Sequence, residues 1–291
     1  MLTPAACDIF VAVTTALVLG GGGVTGIAWE LGMIAGLAEQ GIDLGSADLV
    51  VGTSAGSVVG AQILSGRPIE DLYAEQLADP SHEIAARMGP GALLRFLVAT
   101  VWPGDARRGR AWLGRAALAA RTVPEAGRRR VIEARLRGQS WPERRLLIPA
   151  VDAETGEPRT FDRDSGVSLV DAVVASCAVP MVWPPITIGA RRYIDGGVRS
   201  IANADLAAGA DRVVVLAPVT YGLRPAARIS TQLASLGRGV RSTVVSPDTE
   251  ARQAIGSNSL DPAHRAPSAR AGRRQSSGAE GAIRAVWSET G

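Results

Sequence analysis

The chain has 291 residues, 46% of them apolar, enough to bury a large core in one α/β domain. Its net charge is +3 and all 31 basic residues are arginine, which excludes a lysine-dependent phosphate loop and Schiff-base chemistry and gives no indication of nucleic-acid binding. Two cysteines, Cys7 and Cys177, are too few for a disulfide scaffold or a thiolate zinc site, and no apolar run reaches the roughly 18 residues of a membrane span, so a cytoplasmic location is expected, with contact to a membrane surface left open.

Residues 1–13 carry no motif and read as a leader of uncertain role. An apolar strand over 15–19 runs into four glycines, Gly20, Gly21, Gly22 and Gly23. After Gly26 the spacing of Ile27, Leu31 and Ile34 predicts a helix that stops at Gly41. A second strand, 48–51, leads directly into Gly52-Thr53-Ser54-Ala55-Gly56 and a helix of small residues that ends before Gly66 and Pro68. Residues 80–145 read as a helical, arginine-rich insertion that includes Trp102, Trp112 and Trp141. Order returns with a strand over 146–151, a turn at 154–157 and a paired strand over 159–161. Ser168 and Asp171 mark a helix start, and that helix should run to Cys177 before Pro180. A short strand ends at Ile194 ahead of Asp195-Gly196-Gly197, and 213–216 is a further buried strand. Beyond Ser246 the chain turns polar, with a helix or two and a loose end expected. The expected organisation is a catalytic domain over 14–210 and a segment over 211–291 that completes or flanks it. Alternation of strand and helix predicts a mainly parallel sheet with helices on both faces, and ligands in such sheets bind at the carboxyl ends of the strands.

Gly52-x-Ser54-x-Gly56 between strand and helix is a nucleophile-elbow pattern, in which glycines relieve a turn too sharp for side chains. The serine then stands at a helix N-terminus, where free amides favour developing negative charge. A serine needs a base. The two histidines lie poorly for it: His82 in a loop-like stretch and His264 in the polar C-terminal region. Asp195, after a strand and before two glycines, is the better candidate, although Asp-Gly pairs also mark ordinary turns. Gly20 to Gly23 expose backbone amides suited to an oxyanion. The pattern Gly21-x-Gly23-x-x-Gly26 also matches a dinucleotide fingerprint, but the end of the second strand, where that fold needs an acidic residue, holds the elbow instead.

The glycine-rich loop, the elbow and Asp195-Gly196-Gly197, in this order, resemble the patatin-like phospholipase family. Ala175-Ser176-Cys177-Ala178-Val179-Pro180 is similar to that family's Ala-Ser-x-Ala-x-Pro segment, and the likeness extends from about residue 16 to 207. The resemblance implies a three-layer α/β/α fold and a serine lipid acyl hydrolase of the phospholipase A, lysophospholipase or carboxylesterase type, with no cofactor or metal. It implies Ser54 as nucleophile, Asp195 as its base in a dyad without histidine, and Gly21, Gly22 and Gly23 as oxyanion donors, with Gly26, Gly52, Gly56, Gly196 and Gly197 as motif glycines. One position departs: Thr25 stands where the family often has a basic residue. A non-catalytic lipid-binding or regulatory module on the same fold is the alternative. Arg107, Arg108, Arg110, Arg128, Arg129 and Arg130 fit either a surface that docks on anionic lipid or a solvated helix face.

Overall fold

The computed structural model describes residues 15–79, 83–220 and 222–288. The leader over 1–13, Cys7 and His82 lie outside the described residues.

Among the described residues, eight strands form one sheet. In chain order the regular elements are β1 (Thr15–Leu19), α1 (Gly23–Glu39), β2 (Leu49–Gly52), α2 (Ala55–Ile63), α3 (Ile69–Leu77), α4 (Pro90–Thr100), α5 (Ala106–Ala119) and α6 (Glu125–Leu136). They continue with β3 (Arg145–Asp152), β4 (Pro158–Phe161), α7 (Leu169–Ser176), β5 (Ile186–Ile188), β6 (Arg191–Asp195) and β7 (Arg212–Leu216). The last are α8 (Ile229–Ser235), β8 (Arg241–Val245), α9 (Thr249–Ile255) and α10 (Arg265–Trp287). The strand order is β5-β6-β3-β2-β1-β7-β8, with β4 paired to β3 off this path. Strands β3, β2, β1, β7 and β8 are mutually parallel, and β4, β5 and β6 add antiparallel pairings around β3.

The central strands are apolar on both faces, as a sheet covered on both sides requires. Leu17, Leu19, Val50 and Val214 join a core with α1, α2, α7 and α10, whereas the alternating Ala16, Val18, Val51 and Val213 pack against residues 201–210 and Ile229 of α8. The result is a three-layer α/β/α arrangement. The large core side chains Trp29, Leu31 and Met33 of α1 are fully buried.

Two parts of the fold differ from the sequence expectations. Helix α1 starts at Gly23 rather than after Gly26, because Gly23 has a φ of 62° that lets the chain turn sharply into the helix after Gly20, Gly21 and Gly22. The C-terminal segment, expected to end loosely, forms the 23-residue helix α10 and packs along α1. The backbones approach so closely that a Cβ on Gly32 would lie 2.0 Å from the Ala269 carbonyl oxygen, and one on Gly272 2.3 Å from that of Trp29. Trp29 Nε1 donates to Gln275 Oε1 at 2.9 Å and fixes the register of the pair.

Candidate active site

Ser54 is delivered by β2 and caps α2. Its backbone has φ 51° and ψ −112°, a conformation that costs a non-glycine residue about 1–3 kcal/mol and persists only where the surroundings impose it. The surroundings do so through close backbone packing. A Cβ on Gly56 would fall 2.1 Å from the Leu19 carbonyl oxygen, and one on Gly52 2.5 Å from that of Gly56. Both motif glycines are therefore required by space. The Ser54 N–H donates to Ser176 Oγ at 3.0 Å, and Ser176 Oγ donates in turn to the Pro149 carbonyl at 2.7 Å. The Ser57 hydroxyl and the Cys177 thiol both donate to the Ser54 carbonyl, at 2.7 and 3.3 Å.

Asp195 reaches the same rim by a different route. Strand β3 is longer than β2: Val51 pairs with Leu147, and β3 continues to Asp152. The antiparallel β6 pairs with this overhang, Ala150 opposite Asp195, so β6 ends just above the end of β2. Gly196 then packs on β3, where a Cβ would lie 2.2 Å from the Pro149 carbonyl oxygen. The Asp195 N–H donates to the Ala178 carbonyl at 3.0 Å, so the 175–180 segment contacts both Ser54 and Asp195. Asn203, left-handed at φ 51°, donates through Nδ2 to Thr53 Oγ1 and to the Gly196 carbonyl and thereby ties the Ser54 turn to the Asp195 turn.

The Asp195 carboxyl is buried and its two oxygens differ. Oδ1 accepts the Gly197 N–H at 2.7 Å, whereas Oδ2 has no hydrogen-bond partner among the described residues. Burial pushes its pKa up to about 6, against the lowering effects of the Gly197 N–H, the nearby Ser54 hydroxyl and the more distant Arg128. The Ser54 hydroxyl is thus near enough to act on the carboxyl although no hydrogen bond of standard geometry joins them in this state.

Of the three expected oxyanion donors, Gly21 differs from expectation: its N–H is already donated to the Ile201 carbonyl at 2.8 Å. The N–H groups of Gly22 and Gly23 have no backbone acceptor among the described residues. The same is true of Ala55, first residue of α2, whose amide was not singled out from sequence although an elbow normally offers it. A Cβ on Gly26 would lie 3.3 Å from the Pro218 ring, tighter than ordinary packing, and 3.5 Å from Ala55. Thr25 is fully buried, with its N–H and hydroxyl both on the Ser259 carbonyl at 3.2 and 3.3 Å, so position 25 clips the glycine loop to the 259 segment.

Ser54 lines a cleft with Gly23, Val24, Ala55, Arg128, Cys177 and Trp183. The cleft has about 20 Å³ of space, about enough for one water. It borders a larger cavity of about 220 Å³ with which it shares Val24, Ile27 and Arg135. His264 is elsewhere, its Nδ1 against the Ala254 carbonyl at 2.7 Å. The six named arginines of the helical insertion divide between solvent and the fold: Arg108 and Arg130 are exposed, and the other four are engaged or buried. Arg107 pairs with Glu157, Arg110 donates to the Gly156 carbonyl, Arg129 pairs with Asp171, and Arg128 is buried beside Ser54.

A family model for patatin-like phospholipase matches residues 17–208. No curated protein shows significant sequence similarity to the chain. Among solved structures, VipD from Legionella pneumophila is 15% identical with a TM-score of 0.47, over 94% of this chain and 67% of VipD. The type III effector protein ExoU is 16% identical with a TM-score of 0.44, over 95% of this chain and 54% of ExoU, so this chain spans about half of that protein. The family match covers about two thirds of the sequence and includes the glycine loop, the elbow and Asp195: the chain belongs to the patatin-like phospholipase family.

Proposed function

We propose that the protein is a serine acyl hydrolase acting on lipid esters, with Ser54 as nucleophile and Asp195 as the only base. One observation carries this reading. A strained serine at a helix N-terminus and a buried carboxylate meet at one rim of the sheet, beside backbone amides; among the described residues one carboxylate oxygen has no partner and those amides have no acceptor. Asp195 Oδ2 takes the Ser54 hydroxyl proton as Oγ attacks the ester carbonyl, and the Gly22, Gly23 and Ala55 amides receive the oxyanion. The proton passes from Asp195 to the leaving alkoxide. Water then enters, gives a proton to Asp195 and attacks the acyl-serine, and the proton returns to Ser54 Oγ as the acid leaves. A carboxyl raised to about 6 is suited to this work near neutral pH, being mostly ionised yet more basic than an exposed aspartate. Motif residues Gly52, Gly56 and Gly196 hold the backbones together, and the Gly197 N–H orients Oδ1 so that Oδ2 is left for the serine.

Contact with a lipid surface fits α4. Leu93 and Leu94 are each 60% exposed, and Leu97, Val98 and Val101 are also exposed on this helix and its cap. Among the described residues no helix is long and apolar enough to cross a membrane, so this face would rest on a lipid surface without spanning it.

The test is hydrolysis of a graded set of acyl esters and phospholipids by the wild type, Ser54→Ala, Asp195→Asn and a His82/His264 double alanine. Activity lost in the first two variants and retained in the third supports the dyad. A wild type that binds lipid but turns over no ester supports a non-catalytic module instead.

A further inference from the structure

Arg128 is a buried cation at the nucleophile that forms no ion pair among the described residues. It lies on α6 at i, i+4 and i+8 spacing with the buried Ile132 and Leu136, and is itself only 5% exposed. It lines the cleft with Ser54, Ala55 and Cys177. The guanidinium stacks on Trp183, its Cζ 4.2 Å from the ring centroid, which orients the fork without neutralising it. Its Nε is buried without a partner, and no hydrogen bond or ion pair of Arg128 occurs among the described residues. The neighbouring cations are different. Arg135 is paired with Glu83, Arg137 with Glu75, and Arg129 with Asp171. The acids that act on Arg128, Glu83 and Asp195, do so at a distance and are engaged elsewhere, in the Arg135 pair and in the Gly197 turn. A buried guanidinium without an anion is costly, and its fork geometry matches a phosphate better than any group the protein supplies here.

We propose that Arg128 is the specificity-determining residue of this site: it receives an anionic phosphate ester carried close to the scissile acyl bond, and so selects phosphate-bearing acyl esters over neutral ones. This rests on the Ser54 reading above and adds the substrate's charge to it. The group reaches the site from the adjoining cavity of about 220 Å³, because the cleft itself holds only about one water. Trp183 keeps the fork in place, and Arg135, already paired, lines both cavities.

The experiment compares a lysophospholipid with the monoacylglycerol of the same chain, both below micelle formation, for the wild type, Arg128→Met and Arg128→Lys. Arg128→Met should lower the ratio of kcat/KM for the phosphate-bearing over the neutral ester by about tenfold or more, mainly through KM, and Arg128→Lys should restore part of it. A ratio unchanged within about twofold, whatever the loss in absolute rate, assigns Arg128 a structural role and overturns the proposal. A binding arm needs no turnover: calorimetry of dodecyl phosphate and of inorganic phosphate with Ser54→Ala and with Ser54→Ala/Arg128→Met. Binding of dodecyl phosphate that Arg128→Met weakens about tenfold supports the site. Absence of that binding overturns it, as does inorganic phosphate binding equally tightly, since the anion would then not be a lipid's. If the wild type cleaves no ester at all, the hydrolase reading fails while the binding arm still decides the role of Arg128.

Discussion

Asp195→Asn should make the protein more stable while abolishing its activity. The carboxyl is buried, and its acid dissociation is shifted from the ordinary 3.8 to about 6. A carboxyl raised in the folded state holds its proton better there than in the unfolded chain, so stability is lost as pH rises from about 4 through about 6 and does not return above it. At about 1.4 kcal/mol per pH unit, the ionised Asp195 costs the folded state about 3 kcal/mol at pH 7 and above, and about half of that near pH 5. Asparagine keeps an oxygen for the Gly197 N–H and carries no charge, so it removes this cost without removing the bond. Urea titrations of both proteins should show the variant ahead by about 3 kcal/mol at pH 8, a gap that narrows by about half at pH 5. In thermal melts this is a rise of about 6 °C or more at the higher pH. A variant no more stable than wild type at pH 8, or a gap that widens on acidification, would refute the reasoning. Either result would mean that the carboxylate is solvated or paired in a way that offsets its burial.

Three further outcomes follow from the same geometry. The rate should rise with pH through about 6 as Asp195 ionises, and a pH profile of kcat/KM that is flat between about 5 and 8 would exclude it as the base. Gly56→Ala should destabilise by about 3 kcal/mol or more and inactivate, because its Cβ would lie 2.1 Å from the Leu19 carbonyl oxygen; denaturant midpoints decide this. Leu94→Asp with Leu97→Asp should reduce hydrolysis of vesicle-borne lipid by about tenfold and leave a soluble short-chain ester within about twofold, since both side chains stand in solvent on α4; equal loss on the two substrates would place the effect in folding.

Much of this molecule was legible because its signals are local. Apolar strands that run into glycines, and a serine between two of them, state their conformations within five residues, and the strands read over 15–19, 48–51 and 146–151 form as Thr15–Leu19, Leu49–Gly52 and Arg145–Asp152. Asp195 was legible as a residue but its route was not. It arrives on an antiparallel strand that pairs with the overhang of β3, and nothing near Asp195 in sequence records the length of a strand some 45 residues earlier. The α1–α10 pairing was hidden for a different reason. It is built from Gly32, Gly36, Ala269, Gly272 and Ser276, small residues whose value lies in letting backbones approach, and hydropathy reads such a stretch as loose. Arg128 was obscured by Arg129 and Arg130 beside it. The signal was present in its spacing to Ile132 and Leu136, which puts one arginine of the three on the buried stripe.

The measurement closest to the central claim is reaction of the native protein with a long-chain fluorophosphonate, followed by intact mass and peptide mapping. A single adduct on Ser54, absent from Ser54→Ala and formed far more slowly in Asp195→Asn, is the predicted result. Hydrolysis of esters without modification of Ser54, or an adduct on another residue, would contradict the assignment of Ser54 as the nucleophile.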